Sequence, residues 1–255
     1  MKKGFKAVRA FEIDSLRGLA IIMMILHHFI YDLRYIMELD LFAFQESMIF
    51  IYWIRAPFVF IFLFVSGISC SFSKNNFRRS AKMAIFALLF SGAFYIISLY
   101  SGMEMYVIFN ILHILAFATL FYAVLSFFEK KYDFKGVNAA LIFAGIIFMW
   151  LAFPLSKLGS ADIPLLIPLY EGFAGEIGMA DYMPLVPWLG MFISGALFGR
   201  LYYHERKTLF PLIQNKIKYI TLPFEFVGRN SLLFYLLHQP VLIGILYLLR
   251  FLGII

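Results

Sequence analysis

Apolar runs of membrane-spanning length follow one another along the chain, separated by short segments that hold nearly all the charge. A transmembrane helix takes about 20 apolar residues. On that basis the runs predict spans at 15–37, 47–72, 80–101, 105–128, 137–154, 183–203 and 226–252. The expected fold is all-α, a polytopic membrane helix bundle of about seven transmembrane helices, with residues 1–255 forming a single domain. One longer connection, 154–182, is rich in Gly and Pro, and its apolar stretch from Ile163 to Tyr170 is expected to dip back into the bundle. The sequence shows neither an internal repeat nor a low-complexity segment.

The connecting segments alternate in sign. Basic residues gather before the first span (Lys2, Lys3, Lys6, Arg9), in the second loop (Lys74, Arg78, Arg79, Lys82), in the fourth (Lys130, Lys131, Lys135) and in the sixth (Arg206, Lys207, Lys216, Lys218). The other loops carry Glu38, Asp40, Glu46, Glu104, Asp162, Glu171, Glu176 and Asp181, with Lys157 their one basic residue. Loops rich in Lys and Arg stay in the cytoplasm. The N-terminus is therefore expected inside, and an odd number of spans puts the C-terminus outside.

Composition sharpens this picture. Hydrophobic residues make up 63% of the chain, against roughly 45–50% in a soluble domain, and the mean hydropathy is +0.86. The net charge of +7 is dispersed over the loops rather than gathered on one face, which argues for membrane topology and against a nucleic-acid partner. The single cysteine, Cys70, lies within an apolar run and excludes an intramolecular disulfide. The first run is long, opens with Arg17 and lacks a small-residue cleavage site, so it is expected to remain as a helix rather than act as a signal peptide. The expected location is the cell membrane, crossed many times.

An ionisable group at membrane depth costs at least about 2.5 kcal/mol and normally faces a cavity or a partner. Helical spacing sets Asp14, Arg17, Gly18, Ile21, His28 and Asp32 along one stripe of the first span. Arg17 falls at the cytoplasmic mouth and His28 close to the bilayer midplane. Asp32, one turn further, stands where it could orient the imidazole. His27 points nearly opposite and is expected to be a packed histidine. In the fourth span Tyr106, Asn110 and His113 share a face; in the seventh Ser231, Tyr235 and His238 do, followed by Gln239 and Pro240. Arg229 and Asn230 fall near the cytoplasmic end of that span, and Arg55 enters the second from outside with Ser66 deeper on its face. His204 reads as a solvated loop residue. Interhelical hydrogen bonding would explain any one of these histidines. Three at similar depth, beside an Arg–His–Asp stripe, point to chemistry.

A forked guanidinium at an inner mouth suits a phosphate-bearing ligand, and a neutral histidine further along the same helix can serve as a general base. Acidic residues guard the outer mouth, where Tyr170, Tyr182 and Trp188 also lie. Acyl transfer from acyl-coenzyme A to a polar acceptor outside fits that layout. No metal is expected. A proton-coupled small-molecule transporter is the alternative, set against the lack of a repeat. A haem-binding electron carrier with histidine ligands on different helices and a structural scaffold are two further readings.

The segment from Ile13-Asp14-Ser15-Leu16-Arg17-Gly18-Leu19-Ala20 to His27-His28-Phe29-Ile30-Tyr31-Asp32-Leu33 resembles the opening of the heparan-alpha-glucosaminide N-acetyltransferase catalytic-domain family. Phe60-Ile61-Phe62-Leu63-Phe64-Val65-Ser66-Gly67 is similar to its second-helix motif. Ile111-Leu112-His113, the run Asp181 to Trp188 and the run Gly228 to Pro240 resemble the family's small prokaryotic branch, so the likeness extends over nearly the whole chain. The spacing from Arg17 to His28 also resembles bacterial membrane acyltransferases that decorate surface polysaccharides. One departure is visible: the lysosomal enzyme of the family has a histidine near a Trp-x-Gly motif between its first two spans, and loop 38–46 holds neither His nor Trp.

The resemblance implies an acyltransferase that takes an acetyl or other acyl group from cytoplasmic acyl-CoA to an extracytoplasmic sugar or glycan hydroxyl or amine. By the resemblance Arg17 would contact the donor and His28 would be the catalytic histidine. In the mechanism expected from the layout, Asp14, Arg229 and Asn230 would join Arg17 in holding the donor, and His28, oriented by Asp32 or Asp14, would deprotonate the acceptor or itself carry the acyl group briefly. His113, His238 and Asn110 would position the thioester carbonyl. Arg55, Asp181 and Trp188 would meet the acceptor. The partners expected are the lipid bilayer, the acyl-CoA and the acceptor, and a homo-oligomer is compatible with the sequence.

Overall fold

In the computed structural model the apolar runs become helices, and the descriptions below cover residues 10–101, 106–157, 166–170, 179, 181–203 and 207–255. The basic residues before Ala10, Glu104, Asp162, Glu171, Glu176, His204, Arg206 and the start of the 163–170 stretch lie outside these. The α-helices are α1 (Phe11–Tyr35), α2 (Ala56–Phe72), α3 (Asn76–Ser101), α4 (Ile111–Tyr132), α5 (Val137–Leu155), α6 (Trp188–Tyr202), α7 (Pro211–Arg229) and α8 (Ser231–Phe251). Among the described residues there is no β-strand, only one isolated bridge between Tyr106 and Met179. Six helical segments are long and apolar enough to cross a bilayer: Phe11–Tyr35, Phe50–Phe72, Asn76–Tyr100, Ile111–Tyr132, Val137–Leu155 and Ser231–Phe251. The protein is an all-α, multi-pass membrane protein.

Its surface has the character lipid requires. Leu88, Trp53 and Phe153 are 69%, 78% and 71% exposed, and apolar exposure on that scale along spanning helices costs nothing in hydrocarbon.

Several boundaries differ from the sequence expectation, each for a local reason. The fourth span starts at Ile111 rather than 105, because Asn110 is extended and its side chain caps the helix by accepting the Leu112 N–H at 3.1 Å. The sixth span, expected over 183–203, is helical only from Trp188; Pro184 and Pro187 precede it, and its 15 residues fall short of the other spans. The seventh, expected over 226–252, is broken at Asn230, whose backbone leaves the helical region and whose side-chain amide donates to the Phe226 carbonyl at 2.9 Å. The expected sixth loop is helical over most of its length. Gln214, Asn215, Lys216 and Lys218 dilute its apolar character below that of a span, but they leave a one-sided helix, α7. Finally, a π-helical turn, Phe50–Arg55, precedes α2.

The chain divides into two compact units, residues 1–65 with 205–255, and residues 66–204. In the first, α1 packs on α7 and α8. The α1–α7 crossing is unusually close. A Cβ on Gly18 would collide with the Phe224 carbonyl, and one on Gly228 would collide with the Asp14 carbonyl. Small residues permit backbones to meet in this way. Near the other end of α1, Leu33 and Met37 bury with Leu246 of α8, flanked by Phe29, Ile36 and Leu39. The segment after α1 is tied back by Arg34, which donates to Glu46 at 2.8 Å and Asp40 at 3.1 Å, and by the Tyr35 hydroxyl on Glu46 at 2.5 Å.

In the second unit α3 packs on α4, and α5 on α6. Gly67 lies directly against the Phe192 carbonyl of α6. Arg200 forks onto Glu129 at 2.6 and 3.0 Å and donates to Asn138 at 2.7 Å, joining α6 to the ends of α4 and α5. The described part of the expected dipping stretch, residues 166–170, packs its Leu166, Leu169 and Tyr170 against Leu155 and Val186.

Candidate functional site

Every site residue expected from the sequence lies among the described residues, eight in the first unit and four in the second. Those of the first unit fall into two groups along α1, separated by about 16 Å at about 1.5 Å rise per residue from Arg17 to His28.

The group near the start of α1 is an ion-pair network. Asp14 is 2% exposed. Arg17 Nη1 reaches Asp14 Oδ1 and the Gly228 carbonyl, both at 3.5 Å. Arg229 Nε approaches Asp14 Oδ2 at 3.4 Å, and its Nη2 donates to Glu225 at 2.5 Å. Glu225 also accepts the Thr221 hydroxyl at 2.9 Å. Glu12 takes the Thr208 hydroxyl and the Leu209 N–H, both at 2.8 Å, which closes the chain entering α7. The two guanidiniums thus face two carboxylates, Asp14 and Glu225. The cationic mouth read from the sequence is locally charge-balanced, because Glu225 comes from a helix that the sequence pattern did not predict. Arg229 is the more open of the two cations, its side chain 47% exposed against 13% for Arg17. Asn230 lies beside it at the α7–α8 break and spends its amide on Phe226.

The second group is the α1–α8 seam. The ring of His28 meets that of His238 edge-on, with centroids 4.9 Å apart. His28 Nδ1 is 2.9 Å from the Met24 carbonyl, and His238 Nδ1 is 2.6 Å from the Tyr235 carbonyl. A carbonyl only accepts, so in both rings Nδ1 carries a proton, and in the neutral imidazole the lone pair is on Nε2. Asp32, fully buried, receives the amide of Gln239 on both carboxylate oxygens, at 2.9 and 3.1 Å. The group that orients His28 through Nδ1 is therefore the Met24 carbonyl, and Asp32 is instead held by Gln239. His27 packs its ring on Phe50 of the π-helical turn, 5.6 Å away, and lies 5.7 Å from the ring of His28. Arg55 closes that turn and is exposed.

In the second unit Asn110, His113 and Asp181 form a helix cap. The backbone N–H of Asn110 donates to His113 Nδ1 at 3.2 Å, and the Asn110 amide donates to Asp181 at 3.3 Å. With the Leu112 bond this makes a capping box at the start of α4. Trp188, half-buried, opens α6. No group of three or more metal-ligating side chains occurs among the described residues.

The sequence reading missed two participants, Gln239 and Glu225. Gln239 follows His238 directly, but only the pairing of α8 with α1 shows that it meets Asp32. Glu225 is readable as a helical residue once Thr221, Glu225 and Gly228 are seen to share one face of α7.

Compared with known families, residues 9–240 match the family model described as heparan-alpha-glucosaminide N-acetyltransferase, catalytic. No curated protein and no solved structure matches the chain.

Proposed function

Since the chain belongs to the heparan-alpha-glucosaminide N-acetyltransferase catalytic family, a membrane acetyltransferase family, we propose that it moves an acetyl group from acetyl-CoA in the cytoplasm to a sugar or glycan hydroxyl or amine on the far side of the cell membrane. The whole chain acts as one catalytic domain in this reading, with its N-terminus inside. The observation that carries the reading is the α1–α8 seam, where two histidines on spanning helices face each other with Nδ1 of each bonded to a backbone carbonyl, which leaves Nε2 for chemistry.

Acetyl-CoA supplies an activated thioester, and the chain's own residues would do the rest. His28 Nε2 takes the proton of the attacking hydroxyl or amine as the new bond to the acetyl carbon forms. As the carbon–sulfur bond breaks, the imidazolium returns that proton to the departing thiolate. The Met24 carbonyl keeps His28 in the tautomer this requires. The edge-on contact with His238 limits rotation of the ring.

Arg17 and Arg229 are the cations available to phosphates. Their bonds to Asp14, at 3.5 and 3.4 Å, are long for charged pairs, and Arg229 is half-exposed. Phosphate binding would draw Arg229 from its carboxylates, so Asp14 and Glu225 set the affinity for the donor. The separation between the two groups suits a donor whose charged end and thioester are joined by a long flexible arm.

The test uses purified protein, labelled acetyl-CoA and a panel of sugars. Transfer to one of them should fall at least about 100-fold in His28→Ala, the lower range for loss of a general base. Undiminished turnover in that variant defeats the assignment. Substrate uptake driven by a pH gradient without coenzyme A would establish the transporter instead.

A further inference from the structure

Buried polar groups are almost always hydrogen-bonded, so buried acceptors held in place without a donor point to something that supplies one. His238 and Gln239 provide two, side by side in sequence and both turned toward α1. His238 cannot use the other tautomer, because its Nδ1 proton is committed to the Tyr235 carbonyl. In the neutral ring Nε2 is therefore the acceptor, and that atom is buried with no donor among the described residues. Gln239 turns the nitrogen end of its amide to Asp32, the end that can donate to the carboxyl oxygens. Its Nε2 thus stays on both Asp32 oxygens, and its Oε1 is likewise buried without a donor.

We infer that His238 Nε2 and Gln239 Oε1 form a subsite on the α1–α8 seam that receives N–H or O–H donors of the acceptor substrate, with Gln239 as a specificity-determining residue. The inference rests on the acetyltransferase reading for the identity of the ligand as acceptor. The chemistry of the subsite selects its class. Two acceptors beside the Asp32 carboxyl favour an amine or a hydroxyl of the acceptor, and they disfavour a carbonyl, carboxylate or phosphate at that position. Asp32 has a positioning role here: it aims Gln239 Oε1 by occupying the amide NH₂.

Binding separates the subsite from the reaction. Methyl β-D-glucosaminide and the corresponding 2-deoxy glucoside, which lacks the amine donor, are titrated calorimetrically into the full-length protein without acetyl-CoA. Wild type should bind the amino sugar about tenfold more tightly than the deoxy probe, the worth of one hydrogen bond. Gln239→Leu, which keeps the bulk of the side chain but removes the acceptor, should abolish that preference. Thermal unfolding of the variant checks that it is folded. If transfer is observed, Gln239→Leu should raise KM for the amino sugar while KM for acetyl-CoA stays unchanged. Absence of a Gln239-dependent preference, whether both probes bind equally or neither binds, overturns the subsite. A Gln239-dependent preference without any acetyl transfer keeps the subsite and refutes the acetyltransferase reading.

Discussion

Replacing Gly18 by alanine tests how tightly α1 and α7 are joined. The new Cβ would run into the Phe224 carbonyl oxygen and come within 2.9 Å of the Gly228 nitrogen. Carbon and carbonyl oxygen rest at about 3.3–3.6 Å, so the two backbones must part by on the order of 1 Å. The Arg17 bond to Gly228, already 3.5 Å, and the Arg229 bond to Asp14, at 3.4 Å, would then pass out of range. Overpacking costs about 1–3 kcal/mol, and the weakened bonds add about 1 kcal/mol. Alanine returns up to about 1 kcal/mol through helix propensity, leaving a net loss of about 2 kcal/mol. Gly228→Ala should cost a similar amount, since its Cβ meets Asp14 and Gly18 in turn. One opening accommodates both methyl groups, so the double variant should lose clearly less than the sum of the singles, a coupling of at least about 1 kcal/mol. Gly92→Ala is the control, because nothing lies within 4 Å of its Cβ, and it should be neutral or slightly stabilising. Equilibrium unfolding in detergent measures all four. The close crossing is refuted if Gly18→Ala is as harmless as Gly92→Ala, or if the two crossing substitutions simply add.

Arg229→Gln should raise KM for acetyl-CoA roughly tenfold, as expected for a charged hydrogen bond to phosphate. Glu225→Gln, which frees Arg229, should lower KM, and steady-state kinetics at two salt concentrations would show both effects shrinking with salt. Asn110→Ala removes the cap of α4 and should cost about 1 kcal/mol in thermal unfolding, accompanied by faster amide exchange over the first turn. Glu46, in the loop after α1, is held below its usual value by hydrogen bonds from Tyr35 and Arg34. A lowered carboxyl stabilises the folded form above its unfolded value, and that contribution is lost as pH falls through the folded one. Protection of the 38–46 amides should therefore be steady at neutral pH and decline in acid below the ordinary carboxylate range. In Glu46→Gln it should be weaker at pH 7 and nearly independent of pH.

The large features of the fold were open to reading from the chain because length and hydropathy alone decide what a bilayer accepts. All seven expected spans contain helices, six of them long and apolar enough to cross a bilayer, and α5 differs by a single residue at its C-terminal end. What escaped was whatever depends on local backbone bonds or on a neighbouring helix. The π-helical turn at Phe50–Arg55 has the same apolar composition as the helix it leads into. Asn110 looked like a member of a helical face because its spacing to His113 is right; the same three-residue spacing is that of a capping box. The contact of His28 with His238 was suggested by depth. The two partners that change the chemistry, Gln239 on Asp32 and Glu225 on Arg229, were not. Polar residues on a span announce themselves against an apolar background, but their pairings follow from helix packing, which the linear pattern does not contain.

Vectorial transfer in sealed proteoliposomes is the most direct test of the central claim, that His28 on the α1–α8 seam serves as the base for acetyl transfer from a donor on one side of the membrane to an acceptor on the other. Labelled acetyl-CoA is confined to the face bearing the N-terminus and glucosamine to the opposite face. The account predicts labelled N-acetylglucosamine on the acceptor side with wild-type protein and none above background with His28→Ala. Equal labelling by that variant, or product formed only where donor and acceptor share a compartment, would contradict it.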